Sequence, residues 1–127
     1  MDWIKEISWN EQGLIPVVVQ DVNTNGVLMQ AWMNEEALLK TKETGKAVYW
    51  SRSRKKLWMK GESSGHVQFV KSIRLDCDND SLLLIVNQEG GIACHTGRAH
   101  CYYKELVDNE WQVREPILKD PEQIYGK

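Results

Sequence analysis

The chain has 127 residues, room for one domain and little more. A hydrophobic content of 42% suffices for an ordinary core, and 16 basic residues against 18 acidic ones leave a net charge of −2. That near-balance argues against a chain built mainly to coat nucleic acid or an anionic membrane. The start, MDWIKEISWN, lacks the basic opening and apolar run of a signal peptide. The longest apolar runs, LIPVVV and LLLIV, fall far short of the ~20 residues of a membrane span. The expectation is a soluble, cytoplasmic protein with one domain over residues 1–127. Its 3 cysteines are an odd number, so internal disulfides alone would leave one over. In a reducing compartment, cysteines near histidines and acids more often bind metal or do chemistry.

In chain order, LIPVVVQ (14–20) reads as a strand, Asn25-Gly26 as a turn, and VLMQAW as the returning strand. Asn34 caps a helix running to about Lys42, with Glu35 and Glu36 in its first turn and Gly45 at its stop. Met33 and Leu38 have the spacing of a hydrophobic staple. AVYWS (47–51) reads as a strand. HVQFVKSIRLDC (66–77) reads as a long one, with Val67, Phe69 and Ile73 or Leu75 on one face. LLLIVNQ (82–88) has buried-strand length, and GRAHCYYKEL (97–106) is a candidate for the next strand. WQVREPIL adds a strand or covers a partner. The fold class is α+β and predominantly β: a compact, strand-rich single domain with one clear helix.

Two clusters carry potential metal ligands. In RLDCDND, an extended backbone would place Asp76, Asp78 and Asp80 on one face and turn Cys77 to the other. Such a segment could serve an oxygen-rich site for a hard cation and a thiolate site for zinc. An EF-hand does not fit, because the sixth position from Asp76 is Ser81 and the twelfth is Asn87. The bland alternative is an acidic turn between strands. The second cluster, GIACHTGRAHC, holds Cys94, His95, His100 and Cys101 around Gly97. With Cys77 it supplies three thiolates. Three protein ligands with an open position is the catalytic zinc arrangement. The alternative is that the cysteines are small buried hydrophobes. One histidine is best kept as a general base, His95 or His100.

Between the helix and these clusters, YWSRSRKKLWMKGESSGH gathers Arg52, Arg54, Lys55, Lys56 and Lys60. Trp50 and Trp58 flank the run, and Ser63-Ser64-Gly65 follows it. Cationic side chains and small hydroxyl residues suit phosphate oxygens, and tryptophan stacks on a base. A nucleotide fits this set, and so does single-stranded nucleic acid, although the acidic remainder disfavours an extended footprint. A solvated basic loop beside two core tryptophans is the alternative.

VYWSRSRKKLWMKGESSGH (48–66), IRLDCDNDSLLLIVNQ (73–88) and ACHTGRAHCYY (93–103) together resemble the phosphoribosyl-AMP cyclohydrolases of histidine biosynthesis. The resemblance runs from about residue 14 to 106. GGIACH stands for the family's more usual Gly-Pro-Ala-Cys-His, and His100 and Tyr102 stand where Ser and Phe are common. The resemblance implies hydrolysis of the N1–C6 bond of the adenine ring of phosphoribosyl-AMP, in an intertwined homodimer whose zinc sites are shared between subunits. By position, Cys77, Cys94 and Cys101 would hold Zn2+, and Asp76, Asp78 and Asp80 would hold Mg2+. His95 would be the catalytic base. Trp50, Arg52, Arg54, Lys60 and Ser64 are the candidates for binding the nucleotide substrate. Some relatives fuse a second domain that removes pyrophosphate, and this chain is expected to perform the cyclohydrolase step alone. No nucleic-acid or membrane partner is expected. The competing readings are a zinc hydrolase of another purine nucleotide, a metal-stapled binding module and a nucleic-acid binder.

Overall fold

A computed structural model describes residues 2–125. It opens with a short helix α1 (Asp2–Lys5) and is strand-rich thereafter. β1 (Ile15–Asp21) buries every second residue, so Ile15, Val17 and Val19 enter the core. It pairs antiparallel with β2 (Val27–Met33). The expected turn is present but longer than two residues. Asn25 alone takes a positive φ of 65°, and the Asp21 carboxylate closes the turn by accepting from the Thr24 N–H at 2.9 Å.

The helix α2 (Glu35–Thr44) starts as the sequence indicates. The Asn34 side chain accepts from the Ala37 N–H at 2.8 Å, and Gly45 ends the helix at φ 75°. Met33 and Leu38 are both fully buried in one core. Thr41 ties the helix to the next element, β3 (Val48–Ser51): its hydroxyl donates to Ala37 O at 2.9 Å and accepts from the Val48 N–H at 2.9 Å.

Three strand assignments differ from expectation. β4 (Lys56–Met59) forms a hairpin with β3 inside what the sequence presents as a basic loop. Lys55, at φ 53°, makes the turn, and Tyr49 packs against Trp58 with ring centroids 5.1 Å apart. The charges at 52–56 mask a strand too short to show alternation. The long strand shortens to β5 (Gln68–Leu75), and its faces are not those expected. Gln68 is fully buried, whereas Phe69 and Leu75 are exposed. A register shift between Val70 and Ser72 inverts the side-chain parity within the strand. The buried amide is satisfied: Gln68 accepts from the Tyr49 hydroxyl and donates to Gln88 Oε1 at 2.8 Å. Lastly, residues 97–103 are loop, and only Lys104–Val107 forms β7. It pairs with β8 (Glu110–Val113) across Asp108-Asn109, both at positive φ, a two-residue hairpin turn that WQVREPIL only partly discloses. A short helix α3 (Pro121–Tyr125) follows.

The main sheet has the order β2-β1-β6-β5, where β6 (Leu82–Gln88) runs parallel to β1 and antiparallel to β5. Leu84 sits at its centre, fully buried and in register with Val19 and Ile73. Leu84→Ala is expected to cost about 2–5 kcal/mol, the range for truncating a buried leucine. Urea unfolding at fixed protein concentration measures this, and a loss below about 1 kcal/mol would remove Leu84 from the structural core.

Candidate active site

Between β6 and β7 the chain makes a loop over residues 92–103 with no helix or strand of its own. Its shape comes from a narrow reversal. The Cys94 N–H donates to Arg98 O at 3.1 Å, the Gly97 N–H to Cys94 O at 3.0 Å, and the Ala93 N–H to Ala99 O at 3.2 Å. Past the reversal, the Cys101 N–H donates to Leu28 O on β2 at 2.7 Å. The result is that Cys94 and Cys101 face one another. The Thr96 hydroxyl also donates to the Cys94 sulfur, at 3.0 Å.

The thiol of Cys101 is pushed up to about 12, first by burial of its sulfur, then by the charge of Cys94 and its hydrogen bond, with Lys60 opposing. A residue open to solvent on one side thus has a sulfur that stays protonated at neutral pH even with a cation nearby. That cation is Lys60. Its ammonium donates to Ala93 O at 2.5 Å, and burial lowers its pKa against the raising effect of Cys101 and Cys94. Lys60, expected among the phosphate ligands, also stands beside the two sulfurs.

These groups open on a cleft of about 470 Å³ walled by Trp32, Trp50, Trp58, Arg52, Lys60, His95 and Cys101. The Arg52 guanidinium lies 4.4 Å over the Trp32 ring. A smaller basin of about 320 Å³ adjoins it along β4, lined by Arg54, Lys56, Lys60, Ser63 and Ser64. Trp58 and Lys60 line both hollows. The Ser64 hydroxyl is already engaged there, accepting from the His66 N–H at 3.1 Å. Hollows of comparable size around Trp3 bring together no thiol and no imidazole.

The two candidate bases differ in freedom. His95 is exposed at the cleft. Both nitrogens of His100 are engaged: Nδ1 accepts from the Tyr102 N–H at 3.2 Å, and Nε2 lies 3.3 Å from the Glu115 carboxylate.

The aspartate segment is a turn and not extended backbone, so the alternating-face reading of Asp76, Cys77, Asp78 and Asp80 fails. β5 ends at Leu75, and the Asp76 N–H bonds to Ser81 O at 3.0 Å. The Asp76 carboxylate accepts from the Asp80 N–H at 3.0 Å, and Asn79 takes φ 64°. The turn keeps the carboxylates close: Asp80 is raised from the usual carboxylate range by local desolvation and then by Asp76 and Asp78. Among the described residues no group of three or more His, Cys, Asp or Glu side chains could hold a metal ion. One chain therefore pairs Cys94 with Cys101 but leaves Cys77 apart.

The family model for phosphoribosyl-AMP cyclohydrolase matches residues 29–103. The phosphoribosyl-AMP cyclohydrolase of Nitrosospira multiformis is 62% identical over 125 residues, covering 98% of this chain and 96% of that protein. The chain belongs to the phosphoribosyl-AMP cyclohydrolase family. Proteins of that name from Thioalkalivibrio sulfidiphilus and Nitrosomonas eutropha are 62% and 60% identical, each covering 98% of this chain and 95% and 96% of their own lengths. The matched family span runs from β2 to the end of the cysteine loop and contains the whole cleft.

Sequence reasoning missed Trp32. Its signal was parity: with Gln30 it occupies the positions of β2 that alternate with buried Ala31 and Met33. An aromatic on the outward face of a half-buried strand is a candidate ligand contact. It also did not single out Arg98, within ACHTGRAHCYY, or Glu115, whose contacts form only in the fold.

Proposed function

We propose that this protein is a phosphoribosyl-AMP cyclohydrolase of histidine biosynthesis, a hydrolase that opens the adenine ring of its substrate between N1 and C6. Family membership supports the substrate and reaction. The structural observation that carries the reading is the Cys94–Cys101 pair opening, with His95, onto a cleft walled by three tryptophans.

Two apposed thiols with a cation alongside are a soft donor pair suited to zinc. We assign Cys77 of the partner subunit as the third donor, which makes the enzyme a homodimer with shared sites. Exposed apolar side chains on the β7–β8 hairpin and after it support such an interface: Leu106, Trp111, Val113, Ile117 and Leu118 are all more than half exposed. Zinc, when bound, supplies a water acidified towards pKa ~7.

The chain's own residues do the rest. Trp32, Trp50 and Trp58 hold the purine plane. Arg52 and Arg54 meet the phosphates, Arg52 with its fork pre-set on Trp32. Ser64 and Lys60 flank the same path. His95 takes a proton from the attacking water as its oxygen bonds to C6, and returns it to N1 as the C6–N1 bond breaks. Asp76, Asp78 and Asp80, which form no preset metal cluster within one chain, would be drawn together by magnesium, and the cation would favour the charged form of Asp80, raised by local desolvation and then by its two neighbours. Asp78→Asn is expected to raise the magnesium concentration needed for half-maximal turnover several-fold. An unchanged magnesium titration would free the aspartates from this role. No described helix is long and apolar enough to cross a membrane, and we place the enzyme in the cytoplasm.

The test is ring opening of phosphoribosyl-AMP, followed by ultraviolet absorbance, before and after chelation and with zinc restored. Turnover that vanishes on chelation and returns with zinc supports both substrate and metal. AMP and adenosine serve as competing substrates, and faster turnover of either would reassign the enzyme to another purine nucleotide.

A further inference from the structure

The chain beyond the matched family span is not a passive tail. Five contacts join residues 114–119 to the loop that carries Cys94, His95 and Cys101. The Leu118 and Lys119 N–H groups both donate to Gly97 O, at 2.8 and 3.2 Å. The Arg98 guanidinium donates through Nε to Glu115 O at 2.9 Å and lies 4.1 Å over the Tyr103 ring. The Glu115 carboxylate meets His100 Nε2 at 3.3 Å, and the Arg114 N–H donates to Tyr103 O at 2.7 Å. Gly97 completes the fit. It takes φ 88°, and a Cβ there would lie 1.8 Å from Lys119 O and 3.2 Å from Ile117 Cγ2. The loop has been cut to a shape that admits the segment at backbone distance.

We propose that residues 114–119 are a strap that positions the thiol loop, with Glu115 as the positioning residue that sets His100 and, through Arg98, the tip between Cys94 and Cys101. None of these residues lines the cleft, so the strap touches no reacting atom. It acts by fixing the separation of the two sulfurs and the direction of His95. The loop's own backbone bonds close its reversal, and Ala93 in the core, the Leu28 carbonyl and Lys60 anchor its other side, so the strap holds the face those contacts leave. The Glu115–His100 pair is partly open to solvent, and such a pair adds little to global stability. Its effect is therefore local, on metal retention and rate, and that separates positioning from mere scaffolding.

The proposal rests on reading Cys94 and Cys101 as zinc ligands. The experiment compares zinc release to a chromophoric chelator, kcat, KM and thermal midpoint in the wild type, Glu115→Ala, Glu115→Gln, His100→Ala and the double alanine variant. Outer partners of metal ligands typically account for about 10–100-fold in affinity or activity. Glu115→Ala should release zinc faster and lose kcat within that range, with KM and thermal midpoint near the wild type. Glu115→Gln should recover most of the loss, since its amide oxygen still accepts from His100. His100→Ala should match Glu115→Ala, and the double variant should be no worse than either, as expected of one shared contact. Wild-type zinc release and kcat in both single alanine variants would overturn the strap. So would losses confined to the thermal midpoint. Absence of zinc from the wild type would overturn the metal reading itself, a result distinguishable from either.

Discussion

With Cys94 replaced by serine, the purified protein is expected to carry no zinc and to show no turnover, both losses arising together. A serine hydroxyl is a poor zinc ligand. The substitution nearly conserves volume, and Cys94 is a buried loop residue outside the packed cluster, so the fold should persist and circular dichroism should match the wild type. Zinc content by mass spectrometry and turnover of phosphoribosyl-AMP check the result; full zinc retention with normal turnover would withdraw Cys94 from the site. Cys77→Ser should behave identically if the proposed dimer shares its thiols, although Cys77 stands apart from the pair within one chain. Two inactive proteins then become informative when mixed. A dimer of one Cys77→Ser and one Cys94→Ser subunit contains one intact thiol set. Exchange of subunits should restore part of the activity, whereas no recovery after demonstrated exchange would place all three thiols on one chain.

His95→Ala should lower kcat by ~10²–10⁴, the usual contribution of a positioned general base, and leave zinc content unchanged. The imidazole is exposed at the cleft, whereas His100 has both ring nitrogens engaged, by the Tyr102 N–H and by Glu115. Those partners are the reason His95 is taken as the base in the proposed mechanism. A loss below about tenfold would transfer the role elsewhere.

Legibility from the sequence depended on how local each feature is. The α2 boundaries were readable because Asn34 and Gly45 act on their immediate neighbours. β1, β2 and β6 were readable because buried alternation is local too. β5 was misread because a one-residue register shift inverts parity and a buried glutamine replaces the apolar residue that alternation demands. Nothing within HVQFVKSIRLDC announces that Gln68 finds Tyr49 and Gln88. For the site, residue type was enough to single out Cys94, His95 and Cys101, but not which of them face each other. The aspartates were identifiable, but their geometry was not, because Asn79 tolerates the left-handed turn that breaks the strand. Trp32, Arg98 and Glu115 depend on contacts between distant segments, and Lys60 was readable as a phosphate ligand but not as a neighbour of the two sulfurs.

The parallel pairing of β1 with β6 governs when this protein can be completed. Val17 lies opposite Leu82, with α2, the β3–β4 hairpin and β5 between them in the chain. During synthesis β1 has only β2 beside it until β6 emerges, so one edge of that hairpin stays unpaired through much of translation. Non-local closure of this kind is slow, and it exposes the apolar alternation of β1 to aggregation meanwhile. The thiol loop follows directly on β6, and its anchor at Leu28 belongs to the same sheet. Capture of the proposed metal would therefore come after the sheet has closed. Zinc would then report a finished fold and not nucleate it, unlike the small domains that unfold when their metal is withdrawn. The metal-free chain should keep its sheet and lose only the order of its thiol loop.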